Sequence, residues 1–269
     1  MLVLHHAWAS TCSQKVRLAL AEKHLAFEGR VVNLRRFEQL QPEFLTLNPQ
    51  GVVPVLVHHG FVIRESTVIN DYLDDAFTQV PLRPDNPYGR ARVAIWNRFI
   101  DDVPTIAVKL PSFQRNMRPF LLSQPPEELQ AAFARFPDRD TANRWRRAAA
   151  EGIPEQDLAS AHARLLHTLE RMEAALQQGP WLIGDQYTLA DINMAPFVHR
   201  MASFDEYSLD DQVTSQWPAV ARWYANMRAR DAFQNAQFVN QTQARDLVPD
   251  AASLPNSSLK STRSSQCDD

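Results

Sequence analysis

The stretch Asn48-Pro49-Gln50-Gly51-Val52-Val53-Pro54-Val55-Leu56-Val57-His58-His59-Gly60-Phe61-Val62-Ile63-Arg64-Glu65-Ser66 decides the fold. Its first four residues are turn formers. Pro54 then stands directly before the apolar Val55, Leu56 and Val57. Two short strands, Val53–His58 and Phe61–Arg64, are expected to meet at the hairpin-like turn His59-Gly60. Glu65-Ser66 sets a carboxylate and a hydroxyl where the second strand gives way to an amphipathic helix, expected over Thr67–Phe77 with Val68, Ile69, Tyr72 and Leu73 on its apolar side.

Toward the N-terminus the same alternation continues. Leu2–Ala7 reads as a strand, Cys12–His24 as a helix, Glu28–Asn33 as a second strand and Phe37–Leu47 as a short helix. The order β-α-β-α-β-β-α over residues 1–79 predicts an α/β domain with a mixed sheet. Ser10-Thr11-Cys12-Ser13 opens the first helix, where unpaired N–H groups and the helix dipole favour an anion. The three elements together describe a pocket for a small peptide-like ligand whose reactive atom is negatively charged.

Residues 80–87, marked by Pro81, Pro84 and Pro87, read as a linker, and strand signals end there. Tyr88–Leu110, Asp157–Gln178, a segment from about Ala190 and Trp217–Arg230 carry helical spacing, so an all-helical domain is expected over 88–245. An insert at about 111–155, Pro-dotted and rich in Arg and Phe, is long for a connection between packed helices and is expected to be a functional lid or a disordered segment. The Ser-rich tail 246–269 is expected to be disordered and its Cys267 simply exposed.

The 269 residues carry 45% apolar and 22% charged side chains with a net charge of −3. Nothing there recruits nucleic acid or an anionic membrane. No apolar run matches a membrane span or a signal peptide. The two cysteines lie at opposite ends of the chain, which argues against a structural disulfide and fits a cytoplasmic location. The seven glycines form no phosphate-loop or dinucleotide fingerprint. His5-His6 and His58-His59 are strand neighbours whose members face opposite sides, so no metal site is expected from them.

With these residues the chain resembles the cytosolic glutathione transferase superfamily over about residues 1–235. Ser10-Thr11-Cys12-Ser13-Gln14-Lys15-Val16-Arg17 is similar to the active-site helix start of the serine and cysteine classes, zeta-like members especially. Asn48-Pro49-x-Gly51-x-Val53-Pro54-Val55-Leu56 resembles the glutathione-binding turn, whose proline is cis in the family and leaves Val53 to pair with the tripeptide's cysteine. Glu65-Ser66 is similar to the pair that holds the γ-glutamyl end, and Trp181-Leu182-x-Gly184-x-x-x-Thr188-Leu189-Ala190-Asp191 resembles the capping motif of the helical domain. Lys15, Phe37-Glu38-Gln39 and Arg144-Trp145-Arg146-Arg147 look most like bacterial β-etherase-type members, which cleave β-aryl ethers of lignin fragments. The resemblance implies a thioredoxin-like domain followed by helices, glutathione as cosubstrate, a hydrophobic, aromatic electrophile, roles in aromatic compound metabolism or detoxification, and a homodimer.

Ser10 is the residue expected to activate the thiol, against its plain reading as an N-cap. Cys12 is either a nucleophile forming a mixed disulfide, as in a thiol transferase or reductive dehalogenase, or a small residue packed at the helix start. Thr11 and Ser13 are further hydroxyls, and a serine matching Ser13 occurs in β-etherase-type members. Gln39 is a candidate for glutathione's glycine carboxylate, and Trp8 for the substrate side. Phe113 and Phe120 are weighed with it, whereas Trp96 and Phe99 read as core. Arg144, Arg146 and Arg147 are either a solvated face or an attraction for an anionic aromatic. A non-catalytic binding protein of this fold is the remaining alternative.

Overall fold

The computed structural model describes residues 1–204 and 216–236. The expected tail 246–269 lies outside the described residues. Strands β1 (Leu2–His6), β2 (Glu28–Val31), β3 (Val55–His58) and β4 (Phe61–Ile63) form one sheet in the order β2-β1-β3-β4, with β2 parallel to β1 and the other pairings antiparallel. Alternation along the strands sends Leu2, Leu4 and Leu56 to one face, where they meet Val16 and Leu20 of α1 (Thr11–Glu22) and Ile69 and Leu73 of α3 (Ser66–Ala76). Val55, next to Leu56, joins Val32, Val53 and Phe44 of α2 (Pro42–Leu47) in a second cluster.

The expected single helix over Phe37–Leu47 is instead two 3₁₀ turns, Leu34–Arg36 and Glu38–Leu40, followed by α2. Phe37 sits between the turns at φ 55°, in the left-handed region that no helix propagates through, and Pro42 begins α2 afresh at a position where its missing N–H costs nothing. Likewise β3 starts at Val55, not Val53, because Pro54 has no N–H to give the ladder.

The linker is strapped rather than loose. Lys23 Nζ donates to Asp74 (2.9 Å) and to the Val80 carbonyl, Arg83 Nε donates to Asp74 (2.9 Å), and the Leu82 N–H donates to Asp74 as well. Helix α4 (Pro87–Asp102) follows, capped by the Asn86 side chain on Gly89 N–H. It stops short of the expected Leu110 because Pro104 cannot donate, and two single turns, α5 (Pro104–Ala107) and α6 (Lys109–Ser112), replace its end.

The insert is ordered, contrary to one of the two expectations. A wide turn (Phe113–Met117), α7 (Arg118–Leu122), α8 (Pro126–Ala134) and α9 (Arg139–Glu151) close on Leu121, Ala132, Phe133 and Ala149, with Phe113, Phe120 and Trp145 packed against them. Phe37 and Leu40 from the first half complete this core. Its aromatic residues therefore pay for their ordering by burial, which composition alone did not reveal.

Among the described residues the remaining α-helices are α10 (Glu155–Ala175), α11 (Leu189–Met201), α12 (Pro218–Arg228) and α13 (Asp231–Asn235). Trp96, Phe99, Leu165, Met172, Phe197 and Trp223 fill their core together with Leu18 and Ala19 of α1, so α1 is packed on both halves of the molecule. Thr188 and Asp191 make the expected capping box at the start of α11.

Candidate active site

The strand register gathers the sequence motifs at one end of the sheet. Val31 lies opposite His6, His5 opposite Val55, and Leu56 opposite Ile63. The four segments that leave or enter there are the Gln39 turn after β2, the Ser10 turn after β1, Val53-Pro54 before β3, and Glu65-Ser66 after β4. Residues 39, 10, 53 and 65 are far apart in the chain, yet the segments that carry them flank the same end of the sheet.

Ser10 is the N-cap of α1, and its Oγ accepts from Ser13 N–H at 3.2 Å. The hydroxyl oxygen is thus held by the helix while its proton remains available to donate. Ser13 turns the other way: fully buried, it accepts from Ala7 N–H at 3.3 Å and ties the helix start to the end of β1. Thr11 and Cys12 are half-buried in the first turn. The Val53–Pro54 peptide bond is cis, and neither the N–H nor the C=O of Val53 is paired within the described residues. Asn48 fixes the approach to this bond by donating to the Val52 carbonyl (2.8 Å) and accepting from Gln50 N–H (3.1 Å). Gly51, at φ 64°, leaves no space for a Cβ beside Leu40 Cδ2.

Glu65 is exposed at φ 64°, and its side chain makes no capping bond. A carboxylate-bearing residue in that conformation is uncommon and marks a constrained corner. Ser66, the first residue of α3, is buried beside it. Gln39 is half-buried, with its Oε1 shut away from solvent and without a partner. Trp8 packs edge-on to His6 (5.0 Å) and under the Arg17 guanidinium (4.9 Å), and its buried Nε1 has no partner.

Charge at this end is cationic. Arg17 donates to the carbonyls of Ala7 (3.2 Å) and Trp8 (3.1 Å) and lies 3.3 Å from His6 Nδ1. Burial lowers Arg17 to about 10, so it stays charged at neutral pH. Burial first, and then Arg17, pushes His6 down to about 3 and keeps it neutral. Arg200, from the last turn of α11, reaches Ala9. Lys15 is fully buried and paired with Asp101 at 3.1 Å.

Other candidates sit elsewhere. Trp96 and Phe99 belong to the helical core, and Phe113 and Phe120 to the insert. Arg144, Arg146 and Arg147 are exposed on α9, which fits the solvated-face reading. Among the described residues no group of three or more His, Cys, Asp or Glu side chains could hold a metal. Arg200, Ser112 and Asp101 escaped the sequence reading because their partners lie between 34 and 191 positions away in the chain.

Residues 9–76 match the family model of the glutathione S-transferase N-terminal domain, and residues 130–226 that of the C-terminal domain. The chain belongs to the glutathione transferase superfamily. It is 29% identical to Protein LigF of Sphingobium sp. strain SYK-6 over 88% of this chain and 92% of that protein. Its fold superposes on the crystal structure of the β-etherase LigF with a TM-score of 0.81, covering 87% of this chain and 98% of the other at 28% identity. Glutathione S-transferase Z2 of Arabidopsis thaliana is 28% identical over 87% of this chain and 90% of the relative. A probable maleylacetoacetate isomerase of Vibrio cholerae is also 28% identical, over 90% and 98%. This transferase therefore has the thioredoxin-like and helical halves expected of the family, with glutathione as cosubstrate. No helix among the described residues is long and apolar enough to cross a membrane.

Proposed function

We propose that this glutathione transferase ionises the tripeptide's thiol at Ser10 and directs the thiolate at a hydrophobic aromatic electrophile, with cleavage of a β-aryl ether as the specific reaction. The observation that supports the reading is that the segments bearing Ser10, Val53, Glu65-Ser66 and Gln39 all flank one end of the sheet. In it the tripeptide lies extended across that end. Val53's free backbone groups pair with its cysteine, Glu65 and Ser66 take the γ-glutamyl end, and Gln39 takes the glycine carboxylate.

A thiol with a free pKa of about 8.5 is mostly protonated at neutral pH, and a hydroxyl donor at a helix N-terminus lowers it. Ser10 has that donor proton to offer because its oxygen already accepts from Ser13 N–H. Ser13 serves the fold, since its hydroxyl is spent on Ala7 N–H. The thiolate attacks the ether-bearing carbon, a carbon–sulfur bond forms, the carbon–oxygen bond breaks, and the phenolate leaves with the electron pair. The protein contributes proximity and a desolvated nucleophile. Trp8 forms the aromatic wall beside Ser10. The similarity to LigF supports the ether as substrate.

The functional unit in this reading is a homodimer. Phe61 and Val62 on the edge strand β4, Val68 on α3, and Tyr88 and Ile95 on α4 are large apolar side chains left exposed. In this reading they are the side chains that the partner copy covers.

The test is to incubate the protein with glutathione and an aromatic β-aryl ether, following phenol release and the thioether by mass spectrometry. Ser10→Ala is expected to lower turnover at least tenfold, and Cys12→Ser to spare it. Loss of activity in Cys12→Ser with Ser10→Ala unaffected would instead establish the mixed-disulfide route. Light scattering that gives the mass of one chain would refute the dimer.

A further inference from the structure

Helix α11 is buried along almost its whole length, and Arg200 in its last turn is no exception at 7% exposure. Its Nη1 donates to Ser112 Oγ at 3.1 Å, its Nη2 donates to the Ala9 carbonyl, and its Nε is buried without a partner. Among the described residues no carboxylate pairs with it, and burial alone is what lowers its pKa to about 10, which leaves it charged at neutral pH. A buried cation without a counter-charge is a costly thing to keep in a fold. Buried, strained charges of this kind concentrate where an anion arrives during function.

The place it reaches fits that expectation. Ala9 immediately precedes Ser10, whose own N–H donates to the Ala7 carbonyl at 3.2 Å. Arg17 already supplies N–H groups to Ala7 and Trp8. Three successive carbonyl oxygens in front of α1, each of which would repel an anion, are thus all engaged by guanidinium groups. Arg17, in the sheet-bearing half of the molecule, engages two of them, and Arg200, in the helical half, engages the third.

We propose that Arg200 is a positioning residue for the thiolate: it fixes the Ala9–Ser10 peptide from the helical half and lends the bound sulfur a positive charge that no carboxylate among the described residues cancels. This rests on the glutathione reading above. Among the described residues the titratable or charged groups around it are His199 on the same helix, Arg17 on α1 with His6 of β1 against it, Arg115 over Phe204 from the wide turn that follows Ser112, and Arg228 on α12, which acts on His199 as Arg200 does. His6 and His199 are held neutral by burial at working pH.

The experiment compares wild type with Arg200→Gln and Arg200→Lys. Calorimetry with glutathione first establishes binding, and the ultraviolet absorbance of the thiolate is then followed against pH in each complex. Arg200→Gln keeps an N–H donor and loses the charge. It is expected to raise the pKa of the bound thiol by about one unit, about tenfold less thiolate at neutral pH. Its kcat should fall by a similar factor near neutrality and recover at high pH, with the KM for glutathione little changed. Arg200→Lys should keep the wild-type titration to within about threefold.

Glutathione bound with an unmoved titration in Arg200→Gln overturns the inference, as does a shift in Arg200→Lys equal to that in Arg200→Gln. If Arg200→Gln fails to fold, Arg200→Lys and Ser112→Ala decide. Both keep a cation near the loop, so a shift of about one unit in either is fatal to the inference. Wild-type protein that binds no glutathione overturns the glutathione reading together with this inference, whereas binding without the shift overturns this inference alone.

Discussion

Lys15 Nζ lies 3.1 Å from Asp101 Oδ1, although 86 positions separate the two residues in the chain. The other oxygen of Asp101 accepts from Thr67 Oγ1 at 2.6 Å, so one carboxylate joins α1, α3 and α4. One turn further along α3, Asn70 donates to the Lys15 carbonyl (3.2 Å) and to Asn193 Oδ1 (2.7 Å), and Asn193 donates to Asn97 (2.9 Å). A run of polar side chains therefore fixes how the glutathione-binding half sits on the helical half.

The pair is unequal, and that sets the first prediction. The Lys15 side chain is 0% exposed and that of Asp101 is 42% exposed. Asp101→Asn strands a buried ammonium, so it should cost roughly 1–3 kcal/mol, below the range for fully buried pairs because water reaches the site. Lys15→Met leaves a carboxylate that solvent can reach and should cost less. Urea unfolding of both variants at neutral pH measures this, and the reverse ranking would refute it.

The insert should matter to ligand binding through Phe133. This ring is buried and meets Phe37 at 5.9 Å, and Phe37 is two residues from Gln39. Phe133→Ala is expected to destabilise the protein by about 3 kcal/mol through the cavity it leaves. The loosened 3₁₀ turn should raise the KM for glutathione more than it lowers kcat. Steady-state kinetics on the folded variant checks the split; an unchanged KM would show that the insert core and the tripeptide site are independent.

Asp191 supplies a pH signature of one sign. Its carboxylate accepts from Leu182 N–H (2.9 Å), Thr188 N–H (3.0 Å) and Trp223 Nε1 (2.8 Å), yet burial outweighs these bonds and raises its pKa to about 6. The folded protein then holds this proton where the unfolded chain, near 3.8, has released it. Its contribution to stability is present below pH 4 and is lost as pH rises through 6. Asp191→Asn, destabilised overall by loss of the cap, should lack this slope in urea midpoints measured between pH 4 and 6.

The buried histidines work in the opposite direction. His199, 2.7 Å from the Tyr224 hydroxyl, is lowered to about 4 by burial and then by Arg200 and Arg228, and His6 is lowered to about 3. Below 6.5 the unfolded chain takes up protons that the folded state refuses, so stability falls as pH drops from about 6.5 toward 4. NMR titration should find both rings neutral at pH 5. Removing His199 by His199→Gln should flatten the decline, and a ring that titrates near 6.5 in the folded protein would contradict the assignment.

Much of this molecule was legible in its sequence because the signals are local. The Asn48–Ser66 stretch specified a turn, a proline-led strand and a hairpin through residues whose backbone preferences need no distant partner. Thr188 and Asp191 announced a helix start for the same reason, since a capping box is satisfied within four residues. Ser10, Pro54 and Glu65 could be picked out by their positions relative to these elements. What sequence could not supply was anything that depends on two segments meeting. The aromatic residues of 111–155 acquire order only because Phe37 and Leu40 complete their core, and Ser13 proves to face inward only once β1 is in place beside it. Arg200 reads as an ordinary helix-end cation until α11 is packed on α1 and its guanidinium meets Ala9. Local preference writes the elements; burial and charge pairing, which act through space, decide which residues share a site.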